Sequence, residues 1–123
     1  MRKYIKLEEP EQIAFIDWCN LHPKLRDYVI HIPNERLATK SYYFKLKRMG
    51  VKAGVSDIFI PIPQYPWHGL WIEMKANKKS TISDNQLKWL KMMEFQGYKS
   101  EICFGCDEAI KITRDYFINS DIV

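Results

Sequence analysis

The segments Val55-Ser-Asp-Ile-Phe-Ile60 and Leu70-Trp-Ile-Glu-Met-Lys-Ala76 decide the fold of this chain. β-Branched and aromatic residues are frequent in both, as is typical of strands. Only the loop Pro61–His68 separates them, and strands joined by so short a connection are antiparallel neighbours rather than parallel ones. The two segments therefore predict a β-hairpin.

Charged residues interrupt the otherwise apolar strands of this hairpin. Side chains alternate along a strand, so Glu73 and Lys75 share a face with Trp71, while the intervening residues point toward a core. If the hairpin is centred near Tyr65, Asp57 lies directly opposite Glu73, with about 5 Å between the two Cβ atoms. The pattern therefore predicts two carboxylates and an ammonium group on one side of the sheet.

Two opposed carboxylates repel each other unless a cation lies between them or one is protonated. Mg²⁺ prefers oxygen ligands and usually takes one or two carboxylates beside a substrate phosphate, so Asp57, Glu73 and the Met74 carbonyl are a suitable set. Lys75 could then stabilise the charge that develops during phosphodiester hydrolysis. The alternative is an ordinary set of ion pairs with Lys75 or Lys52 on an exposed sheet face.

The rest of the chain predicts a single domain over residues 1–123. Hydrophobic spacing and capping signals indicate alternating helices and strands: a helix from Pro10 to His22, a strand over Tyr28–Ile32, a helix over Glu35–Met49, a helix capped by Ser83 and closed by Gly97, a strand over Lys99–Gly105 and a helix capped by Asp107. We expect an α/β fold in which helices flank a mixed β-sheet of about four strands.

Basic residues predict contact with a polyanion. The net charge is +4 and the pI is about 8.9, and one block contains six cations and no acid, interleaved with the aromatic run 42–44. The candidate DNA-binding residues are those of this block and two further lysines: Arg36, Lys40, Lys45, Lys47, Arg48, Lys52, Lys78 and Lys79. Such a block could follow a phosphate backbone, or it could be a solvated helix face whose lysine stems cover a core.

Three cysteines are an odd number, which predicts a reducing compartment rather than a disulfide framework. Cys103-Phe-Gly-Cys106 could bind zinc together with Cys19 and His22, or act as a redox dithiol. Buried free thiols are the alternative. The sequence contains no long apolar run and begins without a signal-peptide pattern, so we expect a cytoplasmic protein with no membrane partner.

A family resemblance rests on the order and spacing of several short motifs. Val51-Lys-Ala-Gly-Val-Ser-Asp57, followed by Glu73-Met-Lys75, resembles the PD-(D/E)XK nuclease motif, with Ser56 where the motif has proline. Further segments narrow the similarity to the virus-type replication-repair nuclease family, VRR-NUC, in its stand-alone phage-borne form: Ile32-Pro-Asn-Glu35, Gly50-Val51, Ile72–Ala76, Gln86, and Gly97-Tyr98 to Ala109.

The resemblance implies a restriction-endonuclease-like core and a DNA endonuclease that depends on Mg²⁺ or Mn²⁺ and acts in replication, recombination or repair. It further implies a structure-selective enzyme similar to Holliday-junction resolvases, working as a homodimer, and in the host cytoplasm if a phage encodes it. The Pro61–His68 loop, Trp67 and Trp71 could contribute to the dimer interface, although a place in the buried core is equally open to both tryptophans.

The same resemblance points to four further residues. It implies a glutamate of the first helix as a metal or water ligand; we choose Glu11 over Glu8 and Glu9, since Glu11 lies one turn before Phe15. Gln86 is implied near the nucleophilic water and is also the capping-box partner of Ser83. Asn34 and Glu35 match the family without a role that we can assign.

Two other classes of function remain open at this point. One is a DNA-binding module without catalysis, which would use the basic block and leave the acidic pair unexplained. The other is a small zinc or redox protein that uses Cys103 and Cys106.

Overall fold

A four-stranded mixed sheet forms the centre of the molecule in a computed structural model, which describes residues 2–33 and 39–123, with side chains from residue 8 onward. The strands are β1 (Ile30–His31), β2 (Ile58–Ile60), β3 (Leu70–Lys75) and β4 (Lys99–Phe104), in the spatial order β1-β2-β3-β4. β2 is antiparallel to β1 and β3, whereas β3 and β4 run parallel. The predicted hairpin and mixed sheet are both confirmed.

Among the described residues, five helices accompany the sheet: α1 (Arg2–Asn20), α2 (Pro23–Arg26), α3 (Lys40–Arg48), α4 (Asp84–Phe95) and α5 (Cys106–Tyr116). α1 and α5 pack against each other and on β3, and α4 packs on β3 and β4. Within the part of the chain described above, no Cα atom of α3 lies within 8 Å of a Cα atom in another helix or strand. No described helix is both long enough and apolar enough to cross a membrane.

The alternation of side chains along β3 assigns its two faces to different helices. Ile72 and its alternate neighbours join the main core with Phe15 of α1 and Phe117, just after α5. On the other face, Trp71 stacks on Phe59 with ring centroids 4.2 Å apart, and it meets Trp89 of α4 edge to face. Because both faces are covered, every residue of β3 is buried, including its two charged residues.

The first helix is longer than predicted. It begins at Arg2 and passes through Pro10 rather than starting there. Proline lacks one backbone N–H, so an internal proline removes one helical hydrogen bond, but the residues on both sides are mostly good helix formers. Glu8 is therefore a helical residue, which the predicted boundary did not allow.

One other predicted helix start differs from the structure, and a second cannot be compared with it. Gly105, with a φ of +98°, precedes the last helix at its N-cap position, and Asp107 lies within the first turn. The sequence therefore predicted the cap of this helix two residues too far along the chain. Thr39 caps α3 through its side chain; the predicted start at Glu35, like Asn34, lies outside the described residues.

Candidate active site

The register of the hairpin brings two carboxylates together. Ile58 is paired with Ile72, so the next pair toward the open end of the hairpin is Asp57 and Glu73. This is the predicted arrangement. One carboxylate oxygen from each of these residues and one from Glu8 of α1 all lie within 4.8 Å of one another.

Glu73 is the most deeply buried member of this group, with 2% of its surface exposed. Burial, together with the charge and hydrogen bond of Asp57, raises the pKa of its carboxyl to about 9, against the opposing charge of Lys75. Its Oε1 atom is buried and has no hydrogen-bond partner among the described residues. A buried oxygen without a partner is costly, so this one is available to a ligand.

Backbone contacts hold Asp57 at the end of its strand. Its Oδ2 accepts a hydrogen bond of 2.8 Å from the Met74 amide, in the strand opposite. Its carbonyl oxygen accepts from the Ile32 amide at 2.7 Å and lies 2.9 Å from Nδ1 of His31. One Asp57 carboxylate oxygen is therefore fixed by the hairpin, and its backbone is fixed by the chain that follows β1.

Lys75 and Gln86 complete the site. Lys75 is 3% exposed; its Nζ donates to Gln86 Oε1 at 3.1 Å and lies 3.9 Å from Glu73 Oε2. Gln86 Nε2 donates to that same Glu73 oxygen at 3.2 Å. The Gln86 Oε1 atom also accepts from the Ser83 amide at 2.9 Å, which closes the predicted capping box. The Gln86 side chain thus caps the start of α4 and orients both charged residues of β3.

The burial of these residues decides between the two interpretations of the charged strand. An ordinary surface ion pair would leave its charges in water, where they cost little. Glu73 and Lys75 are both buried instead, and the nearest carboxylates carry the same sign of charge as Glu73. Three converging carboxylates, one with an orphaned buried oxygen, fit a hard divalent cation, which takes oxygen ligands. Glu8, Asp57 and Glu73 are the residues that could hold it.

Glu8, rather than the predicted Glu11, is the glutamate of α1 that lies beside Asp57 and Glu73. The Glu11 carboxylate accepts a hydrogen bond of 2.7 Å from the Cys106 amide, and so it satisfies the first turn of α5. The signal for Glu8 was present in the sequence, since a residue seven positions before Phe15 lies on the same helical face. Starting the helix at Pro10 concealed that signal.

The candidate DNA-binding residues lie in two places. The cations of α3 and Lys52 are exposed, and Lys78 and Lys79 occupy an exposed turn that begins three residues after Lys75. Arg36 lies outside the described residues. Both interpretations of this block, a phosphate contact and a solvated helix face, stay open.

The candidate cysteines and tryptophans mostly lie in the core or pack against it. Cys19 and Cys103 are buried, and burial raises the pKa of each thiol to about 12. Among the described residues, the group of possible metal ligands contains no cysteine. Trp71 belongs to the core rather than to an exposed interface, and Trp67 is partly buried, packed against the core and beneath Lys99.

Comparison with known proteins agrees with this geometry. The VRR-NUC domain family model matches residues 2–107. A solved structure of a VRR_NUC domain protein is similar to this one with a TM-score of 0.83 and 30% sequence identity, over 93% of this chain and 90% of that chain. No match was found among curated proteins. The chain therefore belongs to the VRR-NUC family and contains a nuclease-type domain.

Proposed function

We propose that this protein is a metal-dependent DNA endonuclease that hydrolyses phosphodiester bonds in branched DNA. The observation that carries the proposal is the convergence of three carboxylates beside a buried lysine on a strand that is otherwise apolar. Nuclease-type domains act on nucleic acid, and DNA is the substrate that the family implies. Metal dependence and selectivity for branched structures are the parts that require experiment.

The metal would be held by Glu8, Asp57 and Glu73, with the Met74 carbonyl oxygen as a further candidate ligand. A bound Mg²⁺ or Mn²⁺ supplies a Lewis acid that lowers the pKa of water and polarises a phosphoryl oxygen. The chain's contribution is to hold its carboxylates in place before the ion arrives. The Met74 amide fixes one oxygen of Asp57, and Gln86 fixes one oxygen of Glu73.

Lys75 is the candidate for direct stabilisation of the reacting phosphate. An ammonium group has three donors, and the Gln86 Oε1 atom accepts only one of them. Burial keeps water away from the group, so its charge acts more strongly on a phosphate than a surface lysine would. Gln86 hydrogen-bonds both Lys75 and Glu73, whose Nζ and Oε2 atoms lie 3.9 Å apart as an ion pair, and it is also a candidate to orient the attacking water.

The surroundings of the site suit a DNA backbone. Lys78 and Lys79 follow the catalytic strand after two residues, and α3 with Lys52 precedes Asp57 in the chain. We propose that these cations contact phosphates on either side of the scissile bond. Branched DNA and a homodimer belong together in this proposal, because a two-fold dimer presents two sites to two symmetry-related strands. Three cysteines without a disulfide suit a cytoplasmic protein.

The test is cleavage of a labelled four-way junction and a matched linear duplex, with Mg²⁺, Mn²⁺ or chelator. We expect cuts that need the metal, favour the junction and disappear in the Asp57→Ala variant. Sedimentation of the same preparation measures the oligomeric state, for which we expect a dimer. Tight binding of DNA without cutting under any metal would instead support a non-catalytic DNA-binding module.

A further inference from the structure

A histidine side chain ties the end of β1 to the carboxylate site. Nδ1 of His31 lies 2.9 Å from the carbonyl oxygen of Asp57 and 3.1 Å from the side-chain amide nitrogen of Gln12 in α1. In the sheet His31 is paired with Ile58, the residue that follows Asp57. The imidazole ring therefore joins α1, β1 and the start of β2 beside one of the three converging carboxylates.

The chemistry of these partners decides which ring nitrogen carries the proton. A backbone carbonyl oxygen only accepts hydrogen bonds, so Nδ1 of His31 is the donor, and in the neutral ring Nε2 carries no proton. Gln12 then faces a donor, which its amide oxygen satisfies after a half-turn of the amide group. One N–H is thus shared between the Asp57 carbonyl and the Gln12 amide.

The backbone of Asp57 depends on a short strand for its position. β1 contains only Ile30 and His31, and the Ile32 amide adds one hydrogen bond of 2.7 Å to the Asp57 carbonyl oxygen. A strand of this length makes few ladder hydrogen bonds. A side-chain hydrogen bond at its end therefore adds a substantial share of the restraint on Asp57.

Gln12 connects this restraint to a second carboxylate. Glu8 and Gln12 are four residues apart in α1, so they lie on the same face of the helix, one turn from each other. Glu8 supplies an oxygen to the converging group. The contact from Gln12 through His31 to Asp57 thus links the helix that carries one candidate ligand to the strand that carries another.

We propose that His31 is a positioning residue of the metal site: its Nδ1–H holds the Asp57 backbone, and Gln12 holds the ring against α1, so that Glu8 and Asp57 keep the spacing that a divalent cation requires. The inference rests on the proposed function, because it concerns the metal centre of that nuclease. Groups that orient metal ligands without touching the ion contribute to metal affinity, and their removal weakens it.

The test is a calorimetric titration of Mn²⁺ into DNA-free protein. His31→Phe keeps a ring and suits a strand but removes the donor, so we expect about fivefold weaker binding, as for the loss of one ordinary hydrogen bond. His31→Asn places an amide nitrogen at the same position along the side chain as Nδ1, and it should recover most of the affinity. Asparagine is unfavourable in strands, so thermal unfolding in chelator should rank the two variants in the opposite order.

Two further variants test the link to α1. Gln12→Leu should also weaken Mn²⁺ binding, and in combination with His31→Phe it should add nothing, because both changes break the same connection. The matched control is His22→Phe, which removes an imidazole that packs on Trp18 beyond the far end of α1 and should leave the affinity unchanged.

NMR of the imidazole nitrogens tests the hydrogen bond without metal or activity. With the ring neutral, we expect the His31 proton on Nδ1, and a proton on Nε2 would overturn the proposal. So would a His31→Phe variant that binds Mn²⁺ as tightly as the wild type, or a His31→Asn variant that binds it as weakly as His31→Phe.

Failure of the proposed function gives a different result. A wild type that binds no Mn²⁺ would overturn the metal centre together with the positioning role of His31. A protein whose Mn²⁺ affinity depends on His31 as expected, but which never cuts DNA, would keep the positioning role and overturn the proposed hydrolysis alone.

Discussion

The carboxylate site and helix α3 differ in how far their charged residues are exposed to solvent. At the site, Glu73 and Lys75 are buried, and contacts from several elements fix them: Gln86 binds both, and Asp57 lies opposite Glu73. On α3 the cations are exposed, as are Tyr42 and Phe44, and no Cα atom of the helix lies within 8 Å of one in another described helix or strand. In the proposed nuclease, this difference assigns the chemistry to a rigid, enclosed geometry and DNA recognition to exposed side chains that can adapt.

The largest effect is expected at the enclosed site. Glu73→Gln should lower the cleavage rate about 10³-fold or more, because it removes the charge of a metal ligand and keeps the shape of the side chain. The same change should raise the thermal unfolding temperature in chelator, since folding otherwise places this carboxyl in a buried position beside Asp57. Single-turnover cleavage and calorimetric unfolding measure the two effects.

A loss of activity together with a gain in stability would show that these side chains are arranged to bind a ligand rather than to stabilise the fold. A Glu73→Gln variant that cuts normally, or that is less stable than the wild type without metal, would contradict this comparison.

The next largest effect is expected at Glu8 and distinguishes its role from that of Glu11 in the same helix. Glu8→Ala should reduce cleavage at limiting Mg²⁺ at least about tenfold, with partial recovery at higher Mg²⁺, since one ligand of three is lost. Glu11→Ala should leave the Mg²⁺ dependence unchanged and lower the free energy of unfolding by about 1 kcal/mol, because the Cys106 amide at the start of α5 loses its acceptor. A Mg²⁺ titration and a denaturant titration of both variants check this pair. The reverse pattern would return the ligand role to Glu11.

A smaller effect separates the two roles of Gln86. Gln86→Ala removes the acceptor of Lys75 and one half of the capping box, so we expect about tenfold slower cleavage together with a loss of stability. Ser83→Ala breaks the box and touches neither charged residue, so it should cost about 1 kcal/mol of stability and leave the cleavage rate unchanged. Equal losses of rate in the two variants would mean that Gln86 acts only through the helix.

The smallest effect is expected on α3. Lys47→Ala should weaken DNA binding a few-fold and reduce the slope of log affinity against log salt by about 0.9, as for the loss of one phosphate contact. The cleavage rate at saturating DNA should not change, because Lys47 lies outside the enclosed site. Binding titrations at several salt concentrations test this. An unchanged slope would remove Lys47 from the DNA interface.

The enclosed site was more predictable than its surroundings because strand pairing is a strict constraint. If a hairpin is symmetric about its short loop, only one register is possible, and that register places Asp57 opposite Glu73. Gln86 was accessible through the capping box, which is a local signal. Both features depend on residues close in sequence.

Glu8 was missed because its role depends on a helix extending through Pro10, and local signals favour a start at that proline. The position of α3 relative to the sheet was equally out of reach, since periodicity indicates that a helix forms but not where it lies in the fold. Tertiary packing decided both cases.

The most direct test of the central claim is a calorimetric titration of Mn²⁺ into the wild type and into Glu73→Gln, without DNA. A metal centre formed by Glu8, Asp57 and Glu73 predicts saturable binding in the wild type that is at least tenfold weaker in the variant, roughly 1.4 kcal/mol of binding free energy. Equal affinity and stoichiometry in the two proteins would show that the ion binds elsewhere, and would contradict the assignment of these carboxylates as the catalytic metal site.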